Sequence, residues 1–374
     1  MKGFSYWLVL SIVLAGLGLS ACAAPSGTGP VATPEKPSAQ TPGSAAPQLT
    51  REQKLIEEAK KEGKVVLWTY TWERPNALEK LFKEKYPFLE FTIWDASRAT
   101  DAIARQIEEA KVGRYSADLV IYPFVDTTPL REAELLVEYD WPNTRGWTAQ
   151  PPHNFWRIIT VGGRAPVYNT DLLAPAEVPK SWEDLKDARW RGKAMISTSA
   201  RDIPMTMAYV FGGGKLDWDK SFNFWKEVVD KTKPIVVSGF TQPMERIAAG
   251  EVPLFLISAL EGSIMNLLYK GAPLGIAPVE AGGAPNAIAM MKNAPHPAAA
   301  KLLADFFSSE EGLLAYAEVI KGATLTSPEV NKKTRAFQYY QKSGMKITVL
   351  PSELMTPENN LKSSEFWVRG LYGR

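Results

Sequence analysis

The chain has 374 residues, 45% of them hydrophobic and 22% charged, an ordinary globular composition at a length that suits two domains or one large two-lobed unit. A formal net charge of +2 without a dense basic run gives nucleic acid no electrostatic handle. The single cysteine, Cys22, excludes an intramolecular disulfide, and two histidines are too few to build a metal cluster by themselves.

The N-terminal stretch reads as an export signal. Lys2 supplies a small positive region and Phe4–Leu19 an apolar run with small residues toward its end, shorter in character than a stable membrane span. Leu19-Ser20-Ala21-Cys22 resembles a bacterial lipobox, which implies cleavage before Cys22 and lipid on that residue. Residues 1–21 are thus expected to be a lipoprotein signal peptide. Residues 22–49, almost all Ala, Pro, Ser, Gly and Thr from Ala23 on, are expected to be a disordered tether, because such a composition buries too little apolar surface to offset its ordering entropy.

Folded structure should begin near Thr50, where Thr50 and Gln53 form a capping-box signal for a helix Arg51–Glu62 stopped by Gly63. Three strand–helix repeats follow. The strands are Val65–Thr69, Leu89–Trp94 and Asp118–Ile121; the helices are capped by Asn76 and Thr100 and run to Tyr86 and Lys111. This alternation predicts a parallel α/β sheet, whose ligands sit beyond the carboxyl ends of the strands. Phe155–Val161 is another expected strand. From Arg164 to Lys193 a short strand (Ala165–Tyr168) meets turn chemistry at Asn169 and Asp171, then Pro179 and Ser181 before a short helix Trp182–Lys186.

That mid-chain stretch carries a resemblance. The strand followed by Tyr168-Asn169-Thr170-Asp171, the Pro179-Lys-Ser-Trp-Glu-Asp-Leu box and the Trp190-Arg-Gly-Lys193 box resemble the middle of bacterial ABC-importer solute-binding proteins of the type II, ferric-iron-transport-like subgroup. The resemblance implies two α/β lobes joined by a hinge, with a ligand cleft between them. It places a first segment of one lobe at 50–165, the second lobe at 166–280, the return to the first lobe at 281–330, and a C-terminal helical extension at 331–374 of unassigned lobe. The second set of elements fits: strands Ala194–Ser197, Pro234–Val237, Val252–Ile257, Leu274–Ala277 and Asn286–Met291, with helices Pro204–Phe211, Asp219–Thr232, Thr241–Ala249, Leu260–Tyr269 and one long helix Pro297–Ile320. Helical pieces are expected around Arg335–Lys342 and Pro357–Phe366.

The strand-end rule selects candidate ligand residues: Thr69, Tyr70, Thr71 and Trp72 after the first strand, Ser97 and Arg98 after the second, and Tyr122 after the third. Tyr168 is a candidate at the lobe crossing. Thr198, Ser199 and Arg201 precede a helix whose exposed N–H groups could receive an anion, although Ser199 or Asp202 could equally serve as a plain cap. Ser258 and Glu261 follow another strand; Glu261 could take an amine or metal, or simply favour a helix N-terminus.

Iron is weighed because the resembled subgroup is named for it. Its ferric binders imply two consecutive tyrosines after the strand that follows a Gly-Glu box. Here that box is Gly250-Glu251, and the matching positions near Leu260 and Glu261 carry no tyrosine; Tyr339-Tyr340 is out of register. With hard anionic ligands missing, neither a metal nor a cofactor is expected. Gly212-Gly-Gly-Lys215 lacks the phosphate-loop spacing, and no G-x-S-x-G elbow is present. The expected protein is a monomeric, lipid-anchored receptor of the cell envelope, not an enzyme. It would carry a small, anionic solute to the permease subunits of an ABC importer and be held at its membrane by Cys22. The alternatives are a ferric-iron binder of the same class, a receptor feeding a membrane sensor, and a surface enzyme using Glu73 or Glu261.

Overall fold

Helix Arg51–Glu62 shows local chemistry setting its own boundaries. The Thr50 side chain accepts from Gln53 N while the Gln53 side chain accepts from Thr50 N, and Gly63 ends the helix with φ +67°. The computed structural model describes residues 49–70, 76–96 and 98–372, so the signal peptide, Cys22, the tether, Thr71, Trp72, Glu73 and Ser97 lie outside the described residues. Among the described residues no helix is long and apolar enough to cross a membrane.

Among the described residues eleven strands form one hydrogen-bonded sheet. They are β1 (Lys64–Tyr70), β2 (Glu90–Ala96), β3 (Leu119–Pro123), β4 (Trp156–Asn169), β5 (Ala194–Ser197), β6 (Ile235–Val237), β7 (Leu254–Ala259), β8 (Leu274–Ile276), β9 (Glu280–Met290), β10 (Thr324–Leu325) and β11 (Lys346–Val349). The order is β2-β1-β3-β9-β4-β7-β5-β6, with β8 and β10 on β4 and β11 on β9. β1 pairs in parallel with β2 and β3, and β5 in parallel with β6 and β7, the expected signature of two α/β units.

The long strands β4 and β9 connect the two units. At one end β9 pairs with β3, and at the other β4 pairs with β7 and β8, while β4 and β9 pair with each other. Sequence reading split β4 into two strands; it is one, running through Gly162-Gly163. These glycines permit close approach: a Cβ at Gly162 would lie 2.6 Å from Glu261 Oε2, and one on the facing Gly283 would lie 2.3 Å from Val161 Cγ1. One hydrophobic core gathers Ala165–Ala281 and, from the tail, Tyr340, Phe366 and Trp367. Two others gather residues of β1–β3, the start of β4, the end of β9 and helix Pro297–Phe307, together with Leu350 and Met355 of the tail. These are the two lobes, and the tail packs into both.

Three of the departures from the expected boundaries have a local cause. The helix expected over Pro297–Ile320 is two, Pro297–Phe307 and Glu310–Ile320, because Ser309 accepts from Gly312 N and caps a new start. Thr100 does not cap its helix; Arg98 precedes it without a side-chain cap, and Thr100 lies inside. Ser181 caps no helix: a 3-10 turn Glu183–Lys186 stands there, and Asp184 Oδ2 accepts from both Lys180 N and Ser181 N.

Candidate functional site

β1 and β9 deliver the first pair of groups. Thr69 and Tyr70 lie at the carboxyl end of β1, and Tyr70 Oη donates to Asn286 Oδ1 on β9 at 2.6 Å. Burial, reinforced by the charge of Glu261, pushes the Tyr70 phenol up, so it stays neutral and a donor.

β4 delivers Arg164, set between Ala259 of β7 and Gly282 of β9. Its side chain is only 11% exposed and is held by two carboxylates: Nε lies 3.0 Å from Asp202 Oδ2 and Nη1 3.6 Å from Glu261 Oε1. The ring of Phe240 lies 5.9 Å from the guanidinium. Arg164 Nε and Asp202 Oδ2 are close, but among the described residues neither makes a hydrogen bond, and Glu261 Oε2 is likewise buried without one. Burial pushes Glu261 up against the opposing pull of Arg164, and Asp202 pushes it further. One guanidinium between two carboxylates is a group whose positive charge is already spent, with hydrogen-bonding capacity left over.

Around this group lie two adjoining chambers that share Tyr70, Pro123 and Arg164. One, of about 660 Å³, is lined by Thr69, Asp95, Thr241, Glu261 and Asn286, with Phe240 and Tyr316 as aromatic walls. The other, of about 400 Å³, is lined by Arg98, Ser199, Arg201, Asp202 and Thr206, with Asp126 at its side. Desolvation pushes Asp126 up to about 6. Arg98 and Arg201 are exposed, and among the described residues neither has an ion-pair partner. Asp202 pairs with Arg164 rather than Arg201 and makes no capping bond to helix Ile203–Phe211, which removes one plain alternative for this segment.

Of the residues selected from sequence, Thr69, Tyr70, Arg98, Ser199, Arg201 and Glu261 come together here. Four do not. Tyr122 is wholly buried and points into the core with Trp68 and Trp156, because the alternation of β3 turns it away from the chamber that its neighbour Pro123 lines. Ser258 is wholly buried, its hydroxyl donating to Ala259 O. Thr198 Oγ1 donates to Val237 O, which ties the loop to β6. Tyr168 packs over Gly275 of β8, on the far side of its lobe. Thr71, Trp72 and Ser97 lie outside the described residues.

Sequence reasoning missed Arg164, Asn286 and Asp126. The signal for Arg164 was present: an arginine in an apolar strand must find partners, since a lone buried charge is prohibitively costly. Asp126 and Asn286 carry no such mark. Tyr340, half of the tandem tyrosine pair, is buried and donates to Leu260 O at 3.1 Å and to Gly322 O, so it is a structural tie. Among the described residues no group of three or more His, Cys, Asp or Glu could hold a metal ion.

The family described as bacterial extracellular solute-binding protein matches residues 155–342. Solved structures with the same fold include the periplasmic binding protein AfuA of Actinobacillus pleuropneumoniae with fructose-6-phosphate bound, 20% identical over 83% of this chain and 98% of that one, TM-score 0.62. Iron-bound HitA of Pseudomonas aeruginosa is 16% identical over 81% and 99%, TM-score 0.62. The spermidine/putrescine transporter protein PotD of Streptococcus pneumoniae is 16% identical over 82% and 99%, TM-score 0.58. No curated protein matches the chain in sequence. The chain belongs to the bacterial extracellular solute-binding proteins, the family that supplies ABC importers with their solutes.

Proposed function

We propose that the protein captures a small polar solute bearing an anionic group in the two-chambered cleft, closes over it, and presents it to the permease of an ABC importer. The observation that carries the anionic reading is the division of labour among the arginines. Arg164 is neutralised by Asp202 and Glu261, whereas Arg98 and Arg201 enter the smaller chamber beside the hydroxyls of Ser199 and Thr206 without an acidic partner among the described residues. Charge-assisted hydrogen bonds from such a pair suit a phosphate ester, phosphonate or carboxylate. The larger chamber, with Glu261, Asn286, Thr69 and Tyr70, suits hydroxyl donors on the rest of the solute.

In this reading one lobe takes residues 50–165 and 281–330 and the other 166–280, and bending at the glycine-flanked middles of β4 and β9 brings the lobes together over the two chambers. Cys22 holds the molecule to the outer face of its membrane. AfuA and HitA show that this fold serves both a sugar phosphate and iron; the absence of a tyrosine pair at Leu260-Glu261 and the arginines of the smaller chamber favour the organic anion. No catalytic role is assigned to Glu261, which is committed to Arg164. The test is a thermal-shift screen against phosphorylated sugars, organic acids, polyamines and Fe(III). A solute at a hundred times its dissociation constant adds about 2.7 kcal/mol. An anion that raises the melting temperature, is recovered unchanged, and loses several-fold in affinity in Arg201→Ala bears the reading out; a polyamine or metal as the only binder contradicts it.

A further inference from the structure

We propose that the C-terminal segment Lys346–Trp367 is a wall of the solute site, and that Asn360 and Ser364 are specificity-determining residues that hydrogen-bond the bound solute. The inference rests on the cleft being the solute site.

The segment begins beyond residue 342, where the family match ends. β11 runs parallel to the hinge end of β9, pairing Lys346–Val349 with Glu280–Gly283. It continues the edge of β9 that β3 occupies from Asn286 onward, so the hinge carries a third strand. Glu280 fixes the start, accepting from Lys346 Nζ at 3.0 Å and from the Thr348 hydroxyl. The chain then enters the first lobe, where Leu350 and Met355 are buried with Trp68 and Val161. Helix Pro357–Glu365 returns it to the second lobe, capped by Thr356. There Phe366 stacks on Phe222 at 3.9 Å, and Trp367 is wholly buried, its indole donating to Ser197 O at 2.9 Å. Midway, Ser363 Oγ donates to Arg201 O at 2.8 Å and accepts from Met205 N at 3.0 Å, which ties the helix to the arginine-bearing loop.

This path leaves two polar side chains one helical turn apart, Asn360 and Ser364, on the face that lines the chamber of Arg98 and Arg201. Leu350 and Met355 line the same chamber as its apolar floor. Among the described residues neither the Asn360 amide nor the Ser364 hydroxyl has a side-chain hydrogen bond. An amide and a hydroxyl beside two arginines recognise an anion whose body carries hydroxyl groups: the arginines take the charge, and the uncharged pair takes the hydroxyls or the remaining anion oxygens.

The experiment titrates the full chain, and its Asn360→Leu, Ser364→Val and Asn360→Asp variants, with fructose 6-phosphate, glycerol 3-phosphate, spermidine and ferric citrate, by calorimetry and thermal shift. All three variants should melt like the parent without solute. Asn360→Leu and Ser364→Val should each weaken the phosphate ester that binds by about ten-fold, the loss of a hydrogen bond or two. Asn360→Asp, nearly identical in shape, should weaken it more, because it adds a negative charge beside the anion. Unchanged affinity in all three variants overturns the inference and leaves the cleft reading intact. A binder that proves to be spermidine, or ferric citrate when free citrate fails to bind, overturns the anionic reading, and the same variants then decide whether the tail walls the site. No shift with any of the four counts against both.

Discussion

Arg164 is the charge on which the cleft is built, and Arg164→Met removes it without removing much volume. The change leaves Asp202 and Glu261, whose side chains are 23% and 21% exposed, facing each other without their shared cation. Breaking a buried pair by deleting one partner costs about 3–5 kcal/mol, and the residual exposure here points to the lower end, about 3 kcal/mol. At ~2–4 °C per kcal/mol the melting temperature at pH 8 should fall by roughly 6–12 °C. The loss should depend on pH in a definite direction. Glu261 is already pushed up by burial, and without Arg164 it rises further, so its ionised form is what destabilises the fold. Protonation relieves that cost, and the deficit should shrink as pH falls through the raised pKa. Calorimetric melts of parent and variant at several pH values measure it. A deficit of less than ~1 kcal/mol at pH 8, or one that grows on acidification, would refute the reasoning.

Asp126→Asn should stabilise the protein above pH 6 and do little at pH 4. A carboxyl raised from 3.8 to about 6 holds its proton more tightly in the native state, so stability from this group falls as pH rises through that window, by up to about 3 kcal/mol at 1.4 kcal/mol per unit. Unfolding followed at both pH values checks it, and equal effects at both would count against the burial of that carboxyl. Gly162→Ala should displace Glu261, whose Oε2 the new Cβ would meet at 2.6 Å; about 1–3 kcal/mol of stability and part of the solute affinity should go together. Ser363→Ala strands Met205 N in a buried setting and Arg201 O in a half-buried one and should cost about 1–3 kcal/mol in a denaturant melt, against less than ~1 kcal/mol for the neighbouring exposed Lys362→Ala, which loses only the contact of Nζ with the Trp218 ring.

Much of the fold was legible because its signals are local. Thr50 and Gln53, Asn76, and the apolar runs of β1 and β5 each contain their own boundary information. What was hidden depends on packing. Ser309 breaks a helix that periodicity alone would continue, since Leu302, Phe306 and Leu313 keep an apolar face on both sides of the break. The strand-end rule selected Thr69, Tyr70 and Arg98, which line the chambers, and also Tyr122, which faces the core, because a strand points alternate residues to opposite faces and one position decides between cleft and core. Asn360 and Ser364 could not be read from sequence at all: they reach the site only through Leu350 and Met355 in one lobe and Trp367 in the other.

Hydrogen-exchange mass spectrometry of the protein with and without the strongest stabiliser from the solute screen tests the central claim most directly. Capture between lobes predicts simultaneous protection of Thr69–Tyr70 at the end of β1, the Ser199–Thr206 segment of the other lobe, and the β4–β9 crossing around Arg164 and Gly283. Protection confined to one lobe, with the crossing strands unaffected, would contradict it.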